Sequence, residues 1–335
     1  MLLYPMLCSL TTFNFSELTY VLKMAENTKL TMFHIHALNG EALVNRLREW
    51  GFIPKEGEYK CPLCETPLVL QHRSNGPDGY AWACNGRVSI RKQKKRKCAK
   101  SVALRKDTFF EHSKLEIRQI LGFVYLWVEK TPLTLIAKIT KMSLPTASGW
   151  ASFCKEVLLD KYLLYPEKLG GPGSIVEIDE SKFGRRKFHR GHPVEGKWVF
   201  GGYEGETGRV FMEIVEKRTA DTLVPIIQKW ILPGTIIISN YWKAHNCLER
   251  NGYVDLKVNH SITFKDPEST SRHMENQLPG KLAQYIFHKT CEGKGVEKAE
   301  EFYRIAAMMY DPTNPTRQRD PEEIVDEYPS DNADD

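Results

Sequence analysis

No stretch of this sequence approaches the roughly 18 consecutive apolar residues that a membrane-crossing helix needs, so no such span is expected. The first ten residues, Met1 to Leu10, are apolar but carry neither Lys nor Arg, include Pro5 and lack a small-residue cleavage site. A secretory signal is therefore not expected, and an intracellular protein is. A disulfide framework is missing as well. Of eight cysteines, Cys61, Cys64, Cys84 and Cys98 fall in one 38-residue stretch, while Cys8, Cys154, Cys247 and Cys291 are scattered. Clustering in an intracellular chain points to metal rather than disulfides, and the scattered four read as small buried hydrophobes. No extreme of composition argues against a folded core. With 41% hydrophobic and 27% charged residues, the 335-residue chain is long enough for two or three globular units.

The formal net charge of +5 conceals an asymmetry. From Asp311 to Asp335 nine acidic residues face only Arg317 and Arg319, a balance of −7, which leaves +12 on the rest. A body so basic favours a polyanionic partner, the bland alternative being lysines that only keep the protein in solution. The acidic, Pro-containing tail is expected to be disordered.

Along the chain, residues 1–37 give little pattern and read as a poorly defined leader. Gly40 to Gly51 predicts a short amphipathic helix, with Leu43, Val44, Leu47 and Trp50 on one face and Gly51 as the stop. A cysteine-rich unit occupies 58–107. The stretch 113–165 predicts three helices, with Pro132 and Pro145 at helix starts. That order suggests a helix-turn-helix-like segment, although bundles that touch no DNA share it. Gly170-Gly-Pro-Gly173 marks a boundary. Beyond it, strands are expected at Ser174–Ile178, Trp198–Tyr203 and Val210–Val215. A helix at Thr219–Ile231, bent by Pro225, a strand at Thr235–Ser239, a helix at Tyr241–Arg250 and a strand at Tyr253–Val258 follow. Three strands, a helix, a strand, a helix and a strand form the order of a ribonuclease-H-like α/β domain, expected over 173–310. Further helices are expected near Lys281–Lys289 and Val296–Met309.

Cys61-Pro-Leu-Cys64 is a knuckle whose tight turn sets two thiolates on one side of a tetrahedral ion. After nineteen intervening residues, Cys84 is a candidate for the partner half, with Cys98 as the fourth ligand. The thirteen residues between Cys84 and Cys98 are too many for a second knuckle and suggest an inserted basic loop, Arg87 to Lys97. His72 is an alternative ligand, and four free cysteines in a small core are the alternative to Zn2+. A zinc ribbon of this size has little core, so the ion would be structural and supply much of its folding energy. Arg91, Lys92, Lys94, Lys95, Arg96, Lys97, Lys100, Arg105 and Lys106 lie within sixteen residues, a density suited to phosphate contacts. Lys94-Lys-Arg-Lys97 also matches a nuclear import signal, which places the protein in the nucleus of a eukaryotic host and otherwise in the cytoplasm.

Ile175-Val-Glu-Ile-Asp-Glu-Ser181, together with Lys182 to Lys187, Gly196 to Gly202, Leu232-Pro-Gly-Thr235 and Val258-Asn-His-Ser261, resembles the ISXO2-like domain of zinc-ribbon insertion-sequence DDE transposases. The eukaryotic relatives of that family are the Merlin-type DNA transposons. The resemblance runs from about Glu41 through Glu268, with the cysteine unit and helices in the family's order. It implies a ribonuclease-H-like fold that cuts and joins DNA ends with two Mg2+ or Mn2+ ions held by three carboxylates, which offset the repulsion between the cations. Double-stranded DNA is the implied partner, and a homodimer on paired ends a family expectation.

Asp179 matches the first acid, with Glu180 expected on the opposite face of the strand. At the second position stands Asn240, whose carbonyl can reach a cation but brings no negative charge. The third acid should lie on a helix within Ser271–Gly280, where Glu275 is the nearest carboxylate, slightly out of register, and Pro279-Gly280 should break the helix. Glu268 falls at a loop position of the family. The segment after Asp179 stays basic, with Lys182, Arg185, Arg186, Lys187, Arg190 and Lys197 as candidates to hold a DNA backbone. The expectation is a transposase-derived DNA-binding protein unable to cleave DNA. The alternatives are an active metal-dependent transposase, a zinc-ribbon module for RNA or protein, and a decayed element copy.

Overall fold

In the computed structural model, the described residues are 29–74, 76, 78–90, 94–183, 197–239, 245–257 and 278–314. The chain enters through a short helix α1 (Met32–Ala37). Thr31 caps it by accepting the His34 N–H at 3.3 Å, while His34 Nδ1 accepts the Thr31 N–H in return. Ile35 is fully buried, so this end of the expected leader is part of the core. Helix α2 (Gly40–Glu49) buries Val44 and Leu47 and ends where expected, at Gly51, whose φ of 84° suits a residue without Cβ.

The cysteine-rich stretch forms two small antiparallel sheets. Strands β1 (Val69–His72), β2 (Tyr80–Ala83) and β5 (Ser101–Ala103) make one, in the order β1-β2-β5. Strands β3 (Arg87–Ile90) and β4 (Lys94–Lys97) pair only with each other, so the expected basic loop is a hairpin. Three helices follow: α3 (Ile117–Val128), α4 (Leu133–Thr140) and α5 (Leu144–Leu164). The α4–α5 turn has Lys141 in the left-handed region and Ser143 capping α5 through the Thr146 N–H, with Pro145 in the first turn.

After β6 (Leu169–Gly170), strands β7 (Ile175–Phe183), β8 (Lys197–Tyr203) and β9 (Val210–Val215) form an antiparallel meander. Helix α6 (Ala220–Trp230) runs through Pro225 as one helix. It leads to β10 (Ile231–Leu232), which pairs with β6, and to β11 (Ile236–Ser239). Helix α7 (His245–Arg250) and β12 (Val254–Lys257) complete a five-stranded sheet of order β12-β11-β7-β8-β9. β11 lies parallel to both β7 and β12. This is the mixed α/β arrangement expected from the strand and helix order.

Helix α6 covers one face of the sheet, setting Leu223, Ile227 and Trp230 against Val176, Ile178, Phe200 and Phe211. Helix α8 (Leu278–Lys294) covers the other with Leu278, Leu282 and Ile286 against Val199, Val210 and Met212. Pro279 and Gly280 do not break this helix; they lie in its first turn, where a missing N–H costs no intrahelical bond. The opposite side of α8 and helix α9 (Lys298–Met309) enter a second core with α3 and α5. There Tyr303 donates to the Leu121 carbonyl at 2.7 Å and its ring lies 4.5 Å from that of Trp50. The two C-terminal helices therefore tie the sheet to the N-terminal half.

Candidate metal centre and carboxylate site

The two halves of the cysteine cluster come together at the root of the small sheets. The first follows Lys60, whose bridge to Pro67 closes the knuckle, and Glu65 at φ 56° turns the chain after Cys64. The second follows β2 at Cys84, which donates its N–H to the Lys100 carbonyl. The Cys64 and Cys84 sulfurs lie 3.3 Å apart and those of Cys61 and Cys98 3.7 Å apart. All four fall within 4.8 Å of one another. A tetrahedral Zn2+ with bonds of about 2.3 Å needs sulfurs separated by about 3.8 Å, so the donor set and its dimensions fit that ion. Hydrogen bonding by Thr66 pulls the Cys64 thiol down to about 6, whereas desolvation pushes Cys84 up to about 12. His72 pairs with Tyr80 on β1–β2, edge to face at 5.4 Å, and does not belong to the cluster.

Gly86 is a part of this centre that spacing alone does not mark. Its N–H donates to the Cys84 sulfur at 3.3 Å and its carbonyl accepts the Cys98 N–H at 2.8 Å. A Cβ at this position would meet the Thr66 hydroxyl at 2.3 Å and the Cys64 sulfur at 2.8 Å. Only glycine fits there.

The basic residues around the cluster separate into two groups. Arg105 is 11% exposed in its side chain, grips Asp78 through Nε and donates to the carbonyls of Ser113 and Leu115. Lys106 bonds Asp107 and Glu111 at 2.7 and 2.8 Å. Both are committed within the protein. Arg87, Arg96, Lys97 and Lys100 are exposed, and β4 carries Lys94 and Lys95 at its first two positions.

Asp179 stands in the middle of β7, half-buried. It pairs with Gly201, which pairs with Met212, so by strand alternation Asp179 shares the sheet face that α8 covers. Its Oδ1 accepts the Glu180 N–H at 2.9 Å. Glu180 pairs with Phe200 and shares the α6 face, as expected. Desolvation, then the charge of Asp179, raises the Glu180 carboxyl. On that face Arg218 stacks over the Trp198 ring at 3.8 Å, with Lys182 above it at 5.7 Å. The last residue of β11, Ser239, pairs with Ile178, the residue before Asp179. From α8 the residues against this face are Leu278, Leu282 and Ile286, and the helix's one carboxylate, Glu292, bonds Lys289 at 2.9 Å.

Among the described residues, the four cysteines are the one group of three or more His, Cys, Asp or Glu side chains placed to hold a metal ion. On the same face of β7 the neighbouring carboxylate is Glu177, two positions earlier and exposed, and the two form no group of three with another described His, Cys, Asp or Glu. Asn240, Glu268 and Glu275 lie outside the described residues, as do Arg185, Arg186, Lys187 and Arg190.

The sequence profile of the ISXO2-like transposase domain matches residues 168–290, from just before β6 into α8. The cysteine cluster and α1 to α5 fall outside that match. No curated protein matches the chain. A solved structure of the catalytic core domain of BIV integrase is similar at 13% identity over 41% of this chain and 82% of that chain, with a TM-score of 0.21. The Mos1 transposase paired-end complex with left transposon end is similar at 13% identity over 62% of this chain and 79% of that one, with a TM-score of 0.19. At such scores neither likeness bears on fold or chemistry.

Proposed function

We propose, from the match of residues 168–290 to the ISXO2-like transposase domain, that the chain is a transposase-derived protein that binds duplex DNA and lacks a complete strand-transfer centre. The observation that carries this reading is an amide, Asn240, directly after the strand that lies beside Asp179. Phosphoryl transfer on DNA by this route needs two cations about 3.5–4 Å apart, and one carboxylate cannot offset their repulsion. The strand beside β7 ends at Ser239 and the next residue in sequence is Asn240, an amide. The helix on the Asp179 face meets the sheet with leucine and isoleucine. Glu275 precedes that helix in sequence.

Two features support DNA as the partner. The body of the chain carries +12 once the acidic tail is set aside. Its exposed cations gather beside a four-cysteine centre whose dimensions suit a structural Zn2+ in a ribbon-like unit. Cys61, Cys64, Cys84 and Cys98 would hold that ion, which would take no part in chemistry and fix the ends of β2, β3 and β4.

Calorimetric titration of the zinc-loaded chain with Mg2+ and Mn2+ tests the catalytic half of this reading. Fewer than two ions should bind at millimolar concentration, and linear duplex ends should stay uncut. Asp179→Ala should leave duplex affinity within about twofold, since it removes an anion rather than a phosphate contact. Cleavage of DNA ends that disappears in Asp179→Ala would make the protein a working transposase and overturn the proposal.

A further inference from the structure

We infer that the β3–β4 hairpin is a DNA-reading arm, a two-stranded ribbon rooted in the cysteine cluster that enters the major groove of duplex DNA. This rests on the duplex-binding reading above and adds the element, the groove and the dependence on the sulfurs. Five of the eight residues in β3 and β4 are Lys or Arg and none is acidic. The register sets Arg87 opposite Lys97, and both are exposed. Like charges directly opposite on a ribbon destabilise it, so the pairing is favoured by an anion lying along it. Lys100, beside the root, is exposed like Arg87 and Lys97, whereas Arg105 and Lys106 are already held by Asp78, Asp107 and Glu111.

The root of the ribbon is built rather than loose. Its first strand leaves Cys84 through Gly86, its second returns to Cys98, and the Cys98 N–H closes the base on the Gly86 carbonyl at 2.8 Å. Both feet are therefore members of the sulfur cluster. Strands of four residues extend about 13 Å and lie about 4.8 Å apart. The major groove, about 12 Å wide and about 8.5 Å deep, admits a two-stranded ribbon, whereas the minor groove is about 6 Å wide. The competing reader is α5, the second helix of the α4–α5 turn. Its exposed early residues are Leu144, Pro145, Ser148, Gly149 and Ser152, and its first cation is Lys155, eleven residues beyond Leu144. The exposed early turns of α5 carry no cation to draw them to phosphate; the strands of the ribbon do.

The experiment uses the full, zinc-loaded chain and a random-sequence duplex, with affinity followed across a salt series. Each phosphate contact contributes about 0.9 to the slope of log affinity against log salt. The exposed-residue variant Arg87→Gln/Arg96→Gln/Lys97→Gln should therefore flatten the slope by about 2–3. Chelating the metal should weaken the wild type and leave that variant little changed. In the wild type, methyl green, which occupies the major groove, should compete, and netropsin, which occupies the minor groove, should not. An unchanged slope in the variant with duplex binding intact would overturn the arm while leaving the duplex-binding reading standing. Competition by netropsin alone would overturn the groove. A wild type that fails to bind duplex even at low salt would overturn the reading beneath both.

Discussion

Single residues differ sharply in how much of their role a sequence reveals. Cys61, Cys64, Cys84 and Cys98 are readable as a candidate metal set because four soft donors at one point are what a tetrahedral ion would demand. Gly86 is not, because its constraint is the Thr66 hydroxyl and the Cys64 sulfur crowding a Cβ that does not exist. Gly86→Ala should cost about 1–3 kcal/mol through overpacking and speed release of the ion to a chromophoric chelator. Release at the wild-type rate would show that the crowding relaxes without moving a sulfur. His288 is a second such residue. It is 3% exposed on α8, neither ring nitrogen has a hydrogen-bond partner among the described residues, and burial, aided by Lys130 and Lys298, lowers it to about 4 against Glu292. A histidine held neutral in the fold binds its proton more readily when unfolded. Its contribution is intact above about pH 6.5 and is lost as the pH falls towards 4, by at most about 1.4 kcal/mol per pH unit. Urea midpoints should therefore fall between pH 7 and 5 in the wild type and fall less in His288→Leu. Equal falls would assign the acid sensitivity to other groups.

At the scale of elements, strands and helices of the sheet unit follow the sequence closely because burial on two faces imposes a strong pattern. Ile236-Ile-Ile-Ser239 is a strand between neighbours on both sides, and Ala220–Trp230 a helix with one apolar stripe. Two prolines needed the structure. Pro225 lies within α6 without ending it, and Pro279 begins α8 instead of breaking it. What a proline does to a helix depends on where the first turn falls, because there its missing N–H costs no intrahelical bond. The insertion between Cys84 and Cys98 was legible as basic but not as a hairpin. Lysine-rich strands carry little β signal, and the pairing follows from both ends being rooted in one cluster.

At the scale of the whole molecule, boundaries drawn on pattern changes do not coincide with the cores. Cys61, Leu68, Trp82, Cys84 and Leu104 from the cysteine-rich stretch share one core with Phe109, Phe123, Phe302 and Tyr303. Phe52 lies between Phe110 and Tyr303, at 4.7 and 6.0 Å. Loss of the metal should therefore spread beyond the ribbon. On chelation, amide exchange should quicken at β2 and β5 and at Phe52, Ile53, Phe109 and Phe110, while β7 and β11 keep their protection. Exchange confined to β1–β5 would show the cysteine unit to be an independent module.

The sequence by itself determined the clustered cysteine set, the order of strands and helices, and the residue types at Asp179 and Asn240, because each is a matter of residue type and spacing. Only the tertiary structure decided which groups share a face, which cations are already paired, and that α8 and α9 join the two halves. Those outcomes depend on contacts between residues as far apart as Leu121 and Tyr303, and no local pattern encodes a distance of that kind.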